Sequence, residues 1–261
     1  MPDLKMRVKV LLRSRSLAFT RDYFRGRQSG TRAVYDWNGA PVHYRRGSSD
    51  TRLIYSILLK RGKKAEYALP RESGIRTDDV RTVLDIGANA GISAVYFAVS
   101  FPRAEVHAFE PDPGNCELLR LNAEASGRIH VHPFALGASD GELTLYDSDE
   151  AVNFGGFSAH SAGVHSARSK KVPMRHAGRC LAELGIRSVD LLKIDTEGAE
   201  WDILTAVDPA LLGQTRVIMG ELHGMRDFAL LDYLQPMFDI GLKKQIRNRL
   251  FNFYALRRNS E

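Results

Sequence analysis

The stretch from Thr82 to Ser93 constrains the fold more than any other part of the chain. Thr82, Val83 and Leu84 run into Asp85 and Ile86, glycines follow at Gly87 and Gly91, and from Ile92 the apolar spacing turns helical through Ala98. This pattern predicts a buried strand, a tight turn and a helix. Gly87 and Gly91 either let the backbone approach a ligand or take φ values that a Cβ forbids. Asp85 is expected to face the mouth of the turn. Open parallel sheets bind nucleotide-like ligands at junctions of this kind. The spacing D-x-G-x-N-x-G nevertheless departs from the dinucleotide fingerprint G-x-G-x-x-G, and it carries no phosphate-clasping lysine.

The same arrangement recurs downstream. Residues 104–110 form a second apolar run that ends in Glu110, and a helix is predicted after Pro111-Asp112-Pro113. Asp85 and Glu110 are 25 positions apart, an ordinary βαβ repeat, and a carboxylate at the second strand end can accept both hydroxyls of a ribose. The alternative is that Glu110 caps the next helix. A third strand is expected over 129–136, then a turn at Gly137–Gly141 and an alternating strand over 142–146. Residues 147–170 are rich in Gly, Ser and Ala, and predict a lid or a flexible insert. His160 and His165 within it are read as loop residues. A further buried strand ends at Asp195 before Thr196-Glu197-Gly198-Ala199-Glu200, and another runs from Arg216 to Glu221 and His223. In a parallel sheet Asp85, Glu110, Asp195, Glu221 and His223 would share one rim. A helix over 228–237 and two strands, 241–247 and 250–256, close the chain as an antiparallel hairpin.

Ahead of Val80 the chain predicts an extension of three pieces. Residues 4–27 alternate basic and apolar side chains and predict a helix on the domain edge. Asn38-Gly39 between two strand-like runs predicts a hairpin. Residues 50–59 predict a helix capped by Ser49 or Asp50, with Leu53, Ile54, Ile57 and Leu58 on one face. The expected organisation is therefore an extension over 1–79 packed on a core domain over 80–261.

At 261 residues the chain can bury a sizeable core. Lys and Arg outnumber Asp and Glu by 37 to 31, a formal charge of +6. The excess lies in the first 32 residues and at Lys243, Lys244, Arg247, Arg249, Arg257 and Arg258. Nucleic acid is not an expected partner, because no zinc-finger spacing or recognition motif accompanies the charge. Cys116 and Cys180 make neither a disulfide framework nor a redox pair. With no secretory or membrane-spanning stretch, the cytoplasm is the expected location. The basic, amphipathic start offers a peripheral membrane contact as an alternative. Self-association into a homo-oligomer stays open.

Three motifs, Leu84–Gly91, Ala108–Asp112 and Leu192–Glu200, resemble those of the FkbM-type family of S-adenosylmethionine-dependent methyltransferases. The resemblance covers roughly residues 30–257. It implies an α/β class I methyltransferase (Rossmann-like) fold: a mostly parallel seven-stranded sheet with a C-terminal antiparallel hairpin, here with a helical and hairpin extension in front. It further implies methyl transfer to a hydroxyl oxygen of a small molecule, sugar or glycolipid. On this reading Asp85, Gly87, Asn89 and Gly91 line the methionine half of the cofactor, and Ser93 reaches it from the first helical turn. Glu110 binds the ribose, Asp112 sits beside the adenosine, and Phe134, Ala135 and Leu136 border the adenine.

For catalysis, Asp195 is the first candidate and Glu197 the second, with Glu221 and His223 orienting or deprotonating the acceptor. Asp195, Glu221 and His223 also resemble the ligand set of metal-assisted catechol-type methyltransferases, which would use a divalent ion to acidify a hydroxyl. Two competing readings are a nicotinamide-dependent oxidoreductase and a non-catalytic RNA- or membrane-binding module. The first is disfavoured by the missing third close glycine and by the closing hairpin. The second is disfavoured by three acidic strand ends facing one crevice, a poor surface for phosphate.

Overall fold

Arg15 and Ser16 divide the basic start into two helices where the pattern predicts one. The computed structural model describes residues 4–25, 31–62, 65–147, 157–158, 169–222, 225–247 and 250–258. Helix α1 is Leu4–Ser14 and α2 is Leu17–Phe24. Arg15 takes a left-handed φ of 52°. The Ser16 hydroxyl then accepts from Phe19 N at 3.1 Å, so the serine starts a new helix instead of continuing the old one. Strands β1 (Arg32–Trp37) and β2 (Ala40–Arg45) form the expected hairpin. Asn38 and Gly39 both have positive φ, 54° and 84°, as a two-residue turn between twisted strands demands.

The next helix differs from the predicted one in its cap and its register. α3 (Asp50–Leu53) passes into a π-helical segment, Ile54–Leu59, in which Lys60 N donates to Tyr55 O. Five of its six side chains are buried, because α1 and α4 pack against it and Ile57 faces a cavity. Neither Ser49 nor Asp50 caps it through a side chain. The Ser48 hydroxyl accepts from Asp50 N, while the Asp50 carboxylate receives Arg45 N, Nε and Nη2 at 2.8–2.9 Å.

The core alternates strand and helix. β3 (Thr82–Ile86), α4 (Ile92–Ser100), β4 (Glu105–Phe109), α5 (Pro113–Glu124) and β5 (Ile129–His132) make its first half. The predicted strand over 129–136 is two strands, because Pro133 breaks it. β6 (Ala135–Gly137) joins a second, four-stranded sheet with β7 (Gly141–Asp147), β8 (Phe157–Ser158) and β9 (Ser169–His176), in the order β6-β9-β7-β8. The insert predicted over 147–170 otherwise lies outside the described residues. The second half contains α6 (Ala177–Glu183), β10 (Leu191–Ile194), α7 (Glu200–Ala206), α8 (Pro209–Gln214), β11 (Val217–Leu222), α9 (Met225–Leu234), β12 (Phe238–Arg247) and β13 (Leu250–Arg257).

The main sheet has the order β12-β13-β11-β10-β3-β4-β5. Every pairing from β11 to β5 is parallel, and β13 runs antiparallel between β11 and β12. This is the Rossmann-like class I methyltransferase arrangement with its terminal hairpin. Its strand order reverses between β3 and β10, which opens a crevice at their C-terminal ends. One face of the sheet packs on α4, α5, the first hairpin and the π-helical segment, and the other on α6, α7 and α9. The fully buried Asn122 ties the hairpin to the glycine loop. Its carbonyl accepts from His43 N at 2.6 Å, and its amide donates to His43 O and to Ala90 O.

Candidate active site

The loop after β3 is shaped by the neighbouring strand as much as by any ligand. Gly87 has φ 77°, and a Cβ there would collide with the Asp195 carbonyl oxygen, so only glycine fits between β3 and β10. Asn89 is also left-handed, at φ 52°, and its side-chain Oδ1 accepts from Ala90 N at 2.6 Å. A strained loop of this kind persists where its surroundings over-determine it. Here Gly87 N and Ala88 N both donate to Phe109 O, and Asn89 N donates to Glu110 Oε2 at 2.8 Å.

A cavity of about 300 Å³ opens over this loop. Gly87, Asn89 and Ser93 line it from the β3–α4 junction, Glu110 from the end of β4, and Phe134, Ala135 and Leu136 from the start of β6. Asp195 and Glu197 line it from the end of β10, and Glu221 from β11. Three residues expected at the cofactor are not in its wall. Asp85 is fully buried beneath the loop, turned inward instead of toward the mouth. Gly91 lies against the Leu119 side chain, which a Cβ would approach to 2.6 Å. Asp112 caps α5 through Asn115 N at 2.9 Å and pairs with Lys170 Nζ at 2.7 Å. His223 lies outside the described residues.

Asp85 is turned inward because Lys193 is there to meet it. Lys193, in the middle of the otherwise apolar β10, is 2% exposed. Its ammonium donates to Gly87 O at 2.6 Å and Ile86 O at 3.3 Å, and lies 3.1 Å from Asp85 Oδ1. Ser93 Oγ donates to the other Asp85 oxygen at 2.6 Å. Burial pushes the lysine pKa down, but the Asp85 and Asp195 carboxylates outweigh it and hold the pKa above the ordinary lysine value. The lysine therefore stays charged and fixes two carbonyls of the glycine loop. The sequence signal for it is a lone cation inside a buried strand, which requires a buried partner.

Glu110 is held as firmly. Its Oε1 accepts from Asp112 N at 2.9 Å and Asn115 Nδ2 at 3.3 Å, while Oε2 accepts from Asn89 N. Arg45 Nη1 in turn donates to Asn115 Oδ1 at 3.0 Å, so the first hairpin helps orient this carboxylate. A carboxylate has about four acceptor positions, and these three bonds leave one for a ligand hydroxyl. Burial raises the Glu110 pKa even though the three hydrogen bonds oppose the rise. Next to it Phe109 and Phe134 meet edge to face at 5.9 Å, a flat apolar wall backed by His132 stacked on Phe109 at 4.5 Å.

The wall beyond β10 comes partly from the segment ahead of β3. Tyr67 is 4% exposed, and its hydroxyl donates to Asp195 Oδ2 at 3.4 Å. Burial raises its pKa far above that of a free tyrosine, and Asp195, Glu66, Glu221 and Asp85 add to the rise, so it remains a donor. Glu66 shares this end of the cavity, and burial raises its pKa too. Glu221 Oε1 accepts from Asn252 Nδ2 at 2.8 Å. The loop that presents Glu197, itself left-handed at φ 57°, is braced by the fully buried Glu200, which accepts from Thr196 N, Thr196 Oγ1 and Gly198 N. Tyr67 and Glu66 lie in an unpatterned stretch of sequence, and nothing in their spacing singles them out. Among the described residues no group of three or more His, Cys, Asp or Glu side chains is placed to hold a metal ion. Asp195 and Glu221 do not by themselves make a ligand set.

Residues 85–248 match the family model described as the Methyltransferase FkbM domain. The chain is 29% identical over 224 residues to the AMB antimetabolite synthetase AmbE of Pseudomonas aeruginosa, a match that takes in 67% of this chain and 10% of that protein. It is 28% identical over 176 residues to the 31-O-demethyl-FK506 methyltransferase FkbM of Streptomyces tacrolimicus, covering 57% of this chain and 67% of that one. It is 29% identical over 182 residues to the 2-O-methyltransferase NoeI of Sinorhizobium fredii, covering 60% and 72%. The chain thus spans a tenth of the first relative and about two thirds to three quarters of the other two.

Proposed function

The chain belongs to the FkbM family of S-adenosylmethionine-dependent methyltransferases, and from that premise we propose that it methylates a hydroxyl oxygen of a small, uncharged, hydroxyl-bearing acceptor. One observation carries this reading: a single cavity joins a nucleoside-type grip to a carboxylate–tyrosine pair. Glu110 and Asp195 end strands two places apart in the sheet, about 10 Å at the usual strand spacing. When bound, S-adenosylmethionine supplies an electrophilic methyl group. The acceptor capacity that Glu110 keeps beyond its three hydrogen bonds suits a ribose hydroxyl, and Phe134, Ala135 and Leu136 suit the adenine. Gly87, Asn89 and Ser93, which line the cavity from the β3–α4 junction, suit the methionine side.

The residues past β10 attend to the acceptor. Its hydroxyl proton passes to the Asp195 carboxylate, while Tyr67 donates to Oδ2 and keeps that group oriented. Glu66 and Glu221 line the same end of the cavity and border the rest of the acceptor. Three carboxylates around one tyrosine disfavour a phosphorylated or carboxylated acceptor. Two of the relatives are named as a 31-O- and a 2-O-methyltransferase, which supports oxygen as the methylated atom. Glu197 is the second candidate for the base, and Glu221 orients the acceptor.

Calorimetric titration with S-adenosylhomocysteine tests the donor half. Glu110→Ala is expected to weaken binding about tenfold or more with the thermal transition retained. Because the Glu110 pKa is raised and the ionised form accepts the hydroxyl, wild-type affinity should fall, as pH is lowered, earlier than for an ordinary carboxylate. Unchanged affinity in a folded Glu110→Ala protein would remove the ribose assignment. For the acceptor half, methyl-labelled donor is offered with a panel of sugars, alcohols and amines. Label recovered only in amines would overturn the hydroxyl reading.

A further inference from the structure

The face of α1 that points away from the protein is built for a different contact. Seven large apolar side chains are exposed among the described residues, and four of them are Leu4, Val8, Leu12 and Leu17. Leu4, Val8 and Leu12 recur every fourth residue, so they form one stripe along α1. Leu4 and Leu12 are 73% and 72% exposed, and Leu17, the first residue of α2, is 76% exposed. The opposite face of the helix is already used: Val10 and Ser14 are buried, and Arg13 donates to Tyr55 OH at 3.2 Å. The helix is thus anchored by one side and leaves its most hydrophobic side in water.

Cations border that stripe. Lys5 and Lys9 each follow a stripe residue by one position, about 100° around the helix, and Arg7 borders the other edge. All three are exposed, as are Arg15 and Arg21. Between Leu4 and Arg25 the chain has seven Lys or Arg against one acid. That acid, Asp22, is buried and already accepts Tyr44 OH and Arg46 Nε. We propose that this face docks on an anionic lipid bilayer, with the leucine and valine side chains entering the acyl boundary and the flanking cations meeting the headgroups. The charge complement selects an acidic surface, and the aliphatic stripe selects lipid over nucleic acid, whose phosphates give exposed leucines nothing to bury against. The aromatic rings of this segment are turned inward: Phe19 is buried, and Tyr23 packs on Phe24 at 4.9 Å. Among the described residues no helix is long and apolar enough to cross a membrane, so α1 would lie in the interface. Its anchor residue, Tyr55, belongs to the same π-helical segment as Ile57 in the cavity wall.

Vesicle flotation of the full chain tests this. Wild-type protein should float with vesicles containing roughly one-third phosphatidylglycerol, less so at raised salt, and not with pure phosphatidylcholine. Leu4→Ser with Leu12→Ser should reduce flotation about tenfold or more. Lys5→Glu with Lys9→Glu should do the same, and both pairs should keep the wild-type melting temperature because the altered side chains are exposed. The proposal is overturned if wild-type protein stays with the unbound fraction, or floats equally on both vesicle types. It is also overturned if the leucine pair floats like wild type, if that pair instead converts an oligomer to a monomer, or if the face retains RNA and not vesicles.

Discussion

Lys193→Met is expected to lower the unfolding free energy by about 3–5 kcal/mol, the cost of removing one partner from a buried ion pair. Methionine is only one heavy atom shorter than lysine, so the substitution adds little cavity term. It leaves Asp85, which is fully buried, with Ser93 as its remaining partner, and it removes the donor that Gly87 O and Ile86 O share. Because those two carbonyls belong to the glycine loop, the variant should also bind S-adenosylhomocysteine poorly even where it is still folded. Urea denaturation measures the first effect and calorimetry the second. The companion Asp85→Leu/Lys193→Met removes both charges and should recover much of the stability while leaving the binding loss in place. A single-variant cost below about 1 kcal/mol, the range of an exposed pair, would mean that water reaches this site.

Asp195→Asn is expected to reduce the rate of methyl transfer by about 10²–10⁴-fold, the usual contribution of a positioned base, with cofactor affinity little changed. Asparagine preserves the shape, and its carbonyl can still accept from Tyr67 OH, so orientation survives while proton acceptance is lost. The separation of the two effects is the point of the measurement. Single-turnover rates with saturating donor should collapse, while the binding isotherm for S-adenosylhomocysteine should not. Tyr67→Phe gives a useful comparison, since it keeps the base and removes only the donor that orients it. A folded Asp195→Asn protein with wild-type turnover would take this carboxylate out of the chemistry.

Strand ends were more legible in the sequence than side-chain directions. Glu110 and Asp195 announce themselves because an apolar run stops at a carboxylate, Gly87 because the run breaks into a glycine turn, and β-topology then carries all three to one edge. Asp85 satisfies the same description and yet points inward, since its direction depends on Lys193, more than a hundred positions away in the sequence and adjacent only across two parallel strands. The break at Pro133 follows from a local rule, but the transfer of Ala135–Gly137 to a second sheet depends on β9, whose pairing no periodicity announces. Tyr67 is the extreme case. It reaches Asp195 through tertiary packing alone, from a stretch with neither repeat nor motif. Propensity and spacing describe what the chain does within about twenty residues, and the site is assembled over much larger separations.

The family model matches from Asp85 onward, whereas Ser49, Leu53, Ile57, Glu66 and Tyr67 reach the cavity from ahead of it. Two chains that align closely over 85–248 therefore share the residues proposed to grip the donor, with Asp195 and Glu221, and need not share the Glu66 and Tyr67 part of the wall proposed to face the acceptor. Substrate preference in such a lineage can drift, or be exchanged, in a region that a domain-based comparison never scores. On the proposed reading, relatives that differ over residues 45–70 are expected to differ in the acceptor they take even where the matched domain is alike.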